Sequence, residues 1–373
     1  MSYTYNGKRP ISYAEEMIDA YIANIPAEEL PPKEKFTYHQ GVFLSGVEQN
    51  YLQNGKQAYA DYIDAYLACV LNEDKTAQRM EGHFWISPDS LDFRQPANLL
   101  FRKYQETKDV DYLNSIAELT ESLMDFPKNS FGGFWHMKSQ PNQMWLDGLY
   151  MVGPLCAKYA ALSGKREFGE LALKQAILMY DHMSDPEDGL LFHGWDDTKT
   201  SQWADKNTGL SAEKWGRALG WFTVASLDIV DALGDSYPQA QQVKENLKKT
   251  LCSLLKVQGT DGFWRQVIDK PEAEGNWREA SCTCLIAYAM AKAFRLGIMG
   301  APAAESAKRA FEGLIDSLQS GEKGEPLLTG ICVGTCIDEG TYAHYINRET
   351  CVNDLHGSGA YLLMCAEMNR MEE

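Results

Sequence analysis

The sequence predicts an all-α fold, an (α/α)6 barrel of six inner and six outer helices. Three observations predict it. Amphipathic stretches come in pairs joined by hinges too short for anything but antiparallel neighbours. A turn glycine followed by bulky apolar residues recurs between the pairs. The first helix of each pair is apolar nearly all round, while the second carries its charge on one face, which is the pattern of inner and outer layers. An open solenoid of helix pairs is the alternative architecture; its inner helices would be less uniformly apolar and its loops shorter.

The pairs run in order along the chain. Asn54-Gly55-Lys56 divides EQNYLQNGKQAYADYIDAYLACVL, and Thr107-Lys108-Asp109 divides LLFRKYQETKDVDYLNSIAELTESLM. Ser163-Gly164-Lys165 divides LCAKYAALSGKREFGELALKQAILMY; Leu233-Gly234-Asp235 and Leu296-Gly297 close two further helices. Glycine just past the last periodic residue is a helix stop. First helices are expected near 39–53, 94–106, 145–162, 214–232, 277–295 and 355–369. Second helices are expected near 56–72, 109–125, 165–183, 238–256 and 301–318, and the stretch 12–25 supplies the twelfth. Gly82-His83-Phe84-Trp85, Gly132-Gly133-Phe134-Trp135, Gly189-Leu190-Leu191-Phe192 and Gly262-Phe263-Trp264 are the returning loops. All 373 residues are read as one barrel domain.

Composition narrows the function. Apolar residues make up 45% and charged residues 23%, ordinary globular usage. A net charge of −17 argues against nucleic acid, which needs a basic surface, and against an anionic membrane. No apolar run reaches spanning length. The N-terminal MSYTYNGKRPISYAEEMIDAY has no apolar export core, so the chain is expected to stay in the cytoplasm. The nine cysteines include no CxxC pair and read as reduced core residues. The seven histidines include no HxxxH or HxH pair, so no metal is expected. GxSxG, P-loop and GxGxxG motifs are absent.

In such a barrel the inner helices are parallel and their N-termini meet at one mouth. Tyr38-His39-Gln40, Asp92-Phe93-Arg94-Gln95, Trp145-Leu146-Asp147, Trp215-Gly216-Arg217, Asn276-Trp277-Arg278-Glu279 and Asp354-Leu355-His356 fall there. Some of these have a plain reading: Asp354 and Asn276 serve as helix N-caps, and Asp92 is either a cap or a site residue. Asp147 is different. It follows a tryptophan and opens a very apolar helix, surroundings expected to raise its pKa until it holds a proton near neutrality. Trp145 and Trp215, each two residues before a charge, offer flat faces for a sugar ring. His136 in GGFWHMK and His193 in LFHGWDD lie on mouth loops and can donate to a ligand.

YHQGVFLSGV, GGFWH, PNQMWLDGLYM, GLLFHGWDD, KWGRALGW, ICVGT and NDLHGSGAYL together resemble the unsaturated rhamnogalacturonyl hydrolases, family 105 of the glycoside hydrolases. The match runs in order from about residue 12 to 369; only the stretch 73–90 is longer than the family pattern. The resemblance implies the same barrel and a cytoplasmic enzyme of pectin breakdown acting on small unsaturated oligosaccharides. It implies Asp147 as acid/base, Asp92 as a second site aspartate, and Tyr38, His193, Trp215, Arg217 and Trp221 as substrate-lining residues. His39, His136, Trp145 and His356 join them as mouth candidates from position alone. The oligomeric state is left open.

The implied chemistry is consistent with that residue set. Hydrating a C4=C5 vinyl ether takes one proton at C4 and one water at C5, so a single carboxyl acting first as acid and then as base is enough. No cofactor is called for. Arg217 is the expected partner of the substrate carboxylate, since guanidinium binds carboxylate as a fork. Converging helix N-termini add potential favourable to an anion.

Overall fold

A computed structural model describes residues 3–78 and 87–371. The loop Gly82-His83-Phe84-Trp85 lies outside the described residues. The helices are α1 (Pro10–Asn24), α2 (Tyr38–Asn54), α3 (Gln57–Val70), α4 (Leu100–Thr107), α5 (Val110–Glu121), α6 (Asp147–Ser163) and α7 (Arg166–Met183). They continue with α8 (Gly216–Leu233), α9 (Gln239–Lys256), α10 (Ala280–Arg295), α11 (Ala301–Ser317), the short α12 (Tyr342–Ile346) and α13 (Leu355–Arg370).

The expected layers form. α2, the segment leading into α4, α6, α8, α10 and α13 pack each on the next, and α13 packs back on α2 to close the ring. α1, α3, α5, α7, α9 and α11 lie outside them. Burial follows the sequence pattern: every residue of α10 from Ala280 to Ala293 is buried, whereas α9 buries one face. The hinges end their first helices with a left-handed residue at Gly55, Lys108 and Gly164, whose amides bond back to Tyr51, Tyr104 and Ala160.

The second inner element departs from expectation. Instead of one helix over 94–106, Leu91–Leu99 is a 3-10 segment that passes into α4. Pro96 stands within it and supplies no amide donor, so a regular α-helical ladder is broken there. The expected N-cap at Asn276 is also corrected. Glu279 caps α10, accepting from the amide of Cys282, while Asn276 ties its own loop to Val267 and Lys270. Asp354 does cap α13.

The returning loops share a turn. Gly132, Gly189 and Gly262 have φ of 88°, 75° and 85°. At Gly262 a Cβ would also stand 2.2 Å from the Arg309 carbonyl oxygen, so α11 packs directly on this turn. Trp264 plugs the loop, fully buried, with its indole N–H on the Leu254 carbonyl.

Two loop devices shape the mouth. β1 (Gln143–Trp145) pairs antiparallel with β2 (Gly194–Asp196), which brings the loop before α6 against His193. Ile331–Cys332 pairs with Thr350–Cys351, and the stretch between them crosses the mouth. Ile337 anchors that stretch, fully buried in a small cluster with Met137, Trp145, Trp203 and Ala204.

Ring closure depends on close approach of α2 and α13. A Cβ on Gly359 would lie 2.6 Å from the Phe43 amide nitrogen, and one on Gly46 would lie 2.7 Å from Leu362 Cβ. Gly359→Ala is therefore expected to destabilise the protein by about 1–3 kcal/mol, the usual cost of overpacking. Chemical denaturation checks this; an unchanged midpoint would mean the seam has slack.

Candidate active site

A pocket opens at the N-terminal ends of the inner helices. Tyr38, Asp92, His136, Trp145, Asp147, Trp215, Arg217 and Trp221 line it, as expected, together with Met137, Met151, Thr335 and Cys336. The loop stretch carrying Thr335 and Cys336 roofs it. The pocket is narrow and partly open to solvent.

Asp147 opens α6 and is buried. Its Oδ2 lies 3.1 Å from His193 Nε2, and His193 Nδ1 lies 2.7 Å from the Tyr345 hydroxyl. A carboxylate only accepts, so His193 donates from Nε2 and Nδ1 takes the Tyr345 proton. Burial pushes the His193 pKa down, and the imidazole stays neutral in this role. Both of its nitrogens are engaged within the protein. His193 therefore orients Asp147, and Tyr345 orients His193.

The expected raised pKa of Asp147 is corrected. Burial does push it up, but the His193 hydrogen bond and the charges of His136 and Arg217 outweigh burial. The net direction is downward, so the unliganded site holds Asp147 as a carboxylate.

Asp92 is not a helix cap. Ser90 fills that role, accepting from the Asp92 amide, which leaves the Asp92 carboxylate to face the pocket. Its Oδ1 lies 3.3 Å from His136 Nε2. Burial would lower the His136 pKa, yet the Asp92 carboxylate outweighs it and raises it. The His136 ring stacks on Trp145, centroids 4.5 Å apart and planes 12° apart. The site thus holds two carboxylate–imidazole pairs in different states: a neutral His193 behind Asp147, and a His136 held toward the cation beside Asp92.

Arg217 stacks on Trp215 at 4.3 Å. It donates to the carbonyls of Cys332 at 2.6 Å and Val333 at 2.9 Å, so part of its fork is committed to the roof loop. The Trp215 indole N–H goes to Gln266, fixing the stack. Trp221 packs on Tyr150.

Two expected ligand residues lie elsewhere. His356 is fully buried, with Nε2 on the Cys332 carbonyl and Nδ1 on Asp354. His39 packs between Tyr38 and His356, and burial pushes its pKa down to about 3. It faces a neighbouring cavity with Arg348 and Glu349. Among the described residues, His39, Asp354 and His356 are the one metal-capable trio that comes together. The hydrogen bonds of His356 already account for its arrangement.

Two functional-looking residues escaped the sequence reading. Tyr345 reaches the site from the short α12, whose five residues are too few to show a helical period. Glu279 was placed at the mouth, but nothing distinguished it from its neighbours. It is fully buried and accepts from the Ser281 hydroxyl and the amides of Cys282 and Cys332, with Arg217 Nη1 4.0 Å away. One carboxylate thus ties the α10 N-terminus, the roof loop and the arginine together.

The profile of Glycosyl Hydrolase Family 88 matches residues 13–372. A glycoside hydrolase from family 105 of C. acetobutylicum superposes with a TM-score of 0.89 at 30% identity, covering 96% of this chain and 99% of that one. The unsaturated glucuronyl hydrolase of Bacillus sp. GL1 shares the fold, with a TM-score of 0.66 at 15% identity, over 95% of this chain and 94% of that one. A 24.9 kDa protein in the picA locus of Rhizobium radiobacter is 29% identical over 226 residues, 57% of this chain and 96% of that protein.

The Glu279 junction gives a test. Glu279→Gln keeps shape but turns one acceptor into a donor facing amide N–H groups. Loss of about 1–3 kcal/mol of stability is expected, the range for an unsatisfied buried polar group. Thermal and denaturant melts measure it; a neutral substitution would show that the carboxylate is not the tie.

Proposed function

The chain belongs to the family 88 and 105 group of glycoside hydrolases, and from that premise we propose that it hydrates the C4=C5 bond of an unsaturated uronyl residue at the non-reducing end of a small oligosaccharide. The substrate class is lyase-cut pectin, with a galacturonyl residue linked to rhamnose. The observation that carries this reading is the Asp147 carboxyl, held by neutral His193 in a pocket walled by tryptophans and bordered by Arg217.

Asp147 delivers a proton to C4, and water adds at C5 with its surplus proton returning to Asp147. The product hemiketal opens to a ketone, which leaves uronyl C1 as a hemiacetal; this collapses to an aldehyde and releases the neighbouring sugar with its oxygen, without nucleophilic attack at uronyl C1. A two-carboxylate displacement at that carbon is not needed. The Asp92–His136 pair does not have to act as a nucleophile; it borders the ring and keeps positive charge near the substrate carboxylate.

Ionised Asp147 must gain its proton before it can act. An anionic substrate supplies the reason. Its carboxylate pairs with the remaining face of Arg217, cancels part of the positive field that holds Asp147 down, and adds a like charge of its own. A protein with a net charge of −17 gains little from long-range attraction of its substrate. Recognition is then local, and a small anion suits it better than a polymer.

Two experiments test this reading. The unsaturated uronyl group absorbs in the near ultraviolet, and turnover should abolish that signal. In deuterated water one deuterium should appear at C4, and in oxygen-18 water the label should enter at C5. Asp147→Asn should lose roughly 10²–10⁴ in kcat with the fold intact. Solvent oxygen at an anomeric carbon with the double bond retained would refute the hydration chemistry.

The second experiment measures protons. Calorimetry of a saturated uronyl disaccharide in buffers of different ionisation enthalpy should show net proton uptake near pH 7, absent in Asp147→Asn. The sign follows from a carboxyl whose pKa is low in the free site and rises on binding. Equal uptake by both proteins would place the proton elsewhere.

A further inference from the structure

The hydrogen bonds behind Asp147 end on Tyr345, and burial fixes their direction. His193 and Tyr345 are both fully buried. Among the described residues the Tyr345 hydroxyl has one hydrogen-bond partner, His193 Nδ1 at 2.7 Å. If that hydroxyl accepted from Nδ1, its own proton would be buried with no acceptor, which costs more than a typical bond gains. The hydroxyl therefore donates. Burial pushes the Tyr345 pKa well up, so its proton stays in place. Nε2–H then donates to Asp147 Oδ2 at 3.1 Å, and both bonds run toward the carboxylate. Oδ1 is left for substrate or water.

The phenol is held from several sides. Thr341 caps α12, and the Trp277 indole N–H bonds the Ile346 carbonyl at its far end. Gln266 donates to the Tyr345 carbonyl and accepts from the Trp215 indole N–H, each at 3.0 Å. The Tyr345 ring lies over Trp215, centroids 6.2 Å apart and planes 28° apart. None of these contacts uses the hydroxyl, so its one bond within the protein is the bond to His193.

That bond matters because His193 competes with Asp147 for a proton. Asp147 on α6 favours a charged His193 ring, while His136 on its loop and Arg217 on α8 oppose it. Glu213, Asp338, Cys332 and the His344 ring stand around the phenol. A bound anionic substrate offsets the opposing cations. A proton entering with that substrate then has two resting places, the Asp147 carboxyl and His193 Nδ1, and only the first can deliver to C4. A donor on the Nδ1 lone pair favours the neutral ring.

We propose that Tyr345 is a positioning residue: by donating to His193 Nδ1 it closes that nitrogen to the incoming proton, so that the proton stays on Asp147. The proposal rests on the hydration reading above for what the proton does next, but the ring state it requires is measured without turnover.

Nitrogen-15 NMR of the histidine rings reads each ring nitrogen. In wild type the His193 ring, assigned by its absence in His193→Gln, should be neutral with its proton on Nε2 near pH 6, both free and with a saturated uronyl disaccharide bound. In Tyr345→Phe the ring should gain its second proton at a pH about one unit higher, the worth of one hydrogen bond. With disaccharide bound near pH 6 it should be cationic. That variant should still take up a proton on binding, unlike Asp147→Asn, yet lose at least about tenfold in kcat with KM within about threefold. A residue that only packs would lower stability and leave the ring state alone. A wild-type ring that is cationic, or that carries its proton on Nδ1, overturns the proposal with no variant needed. So does a folded Tyr345→Phe whose ring titrates as in wild type. Failure of the hydration reading has a different mark: solvent oxygen at an anomeric carbon, with the His193 ring states as expected.

Discussion

Closure of the inner ring is the constraint on which the other features depend. Helix α13, last in the chain, must reach α2, near its start, and two glycines let their backbones meet. Once the ring closes, six inner elements run the same way and their N-terminal residues converge. Asp92, Asp147 and Arg217, spread over more than a hundred residues of chain, then share one pocket. An open solenoid of the same helix pairs would leave these residues along a surface rather than around a point.

Convergence has an electrostatic consequence. A buried carboxyl alone would be expected to hold its proton. Here the same convergence that buries Asp147 also surrounds it with His193, His136 and Arg217, and their combined effect outweighs desolvation. The site is thereby poised as an anion among cations and donors, with the balance open to change when another anion enters. Roof and floor are coupled in this arrangement. The Cys332 carbonyl accepts from both Arg217 and His356, and its amide donates to Glu279, so the loop over the pocket is fastened to three inner helices.

The two ends of the barrel differ for a related reason. At the mouth, helix N-termini and loops supply donors, and the charged residues face the pocket. At the other end, helix C-termini favour cations, and most of the charge is neutralised in pairs across α8, α10 and α13.

Much of the fold was legible because periodicity and hinge chemistry are local properties. The apolar runs of α8 and α10, the hinges at Gly55 and Gly164, and the turn glycines each declare their structure within a few residues. Asp147 was legible too, since a carboxylate opening an apolar helix after a tryptophan is a local anomaly. Pro96 was in view, but whether it kinks or converts a helix depends on packing. Tyr345 and Glu279 had no local signature. Their roles come from contacts across 46 to 152 positions of chain, as the bonds of His193 to Asp147 and to Tyr345 illustrate. The same holds for the protonation of Asp147, and for His39 and His356, which sequence position put at the mouth and packing turned away from it. A sequence determines which groups are present and which helix each one rides on. Only tertiary structure decides which charges end up beside one another, because electrostatic and hydrogen-bond energies fall off with distance in space and not along the chain.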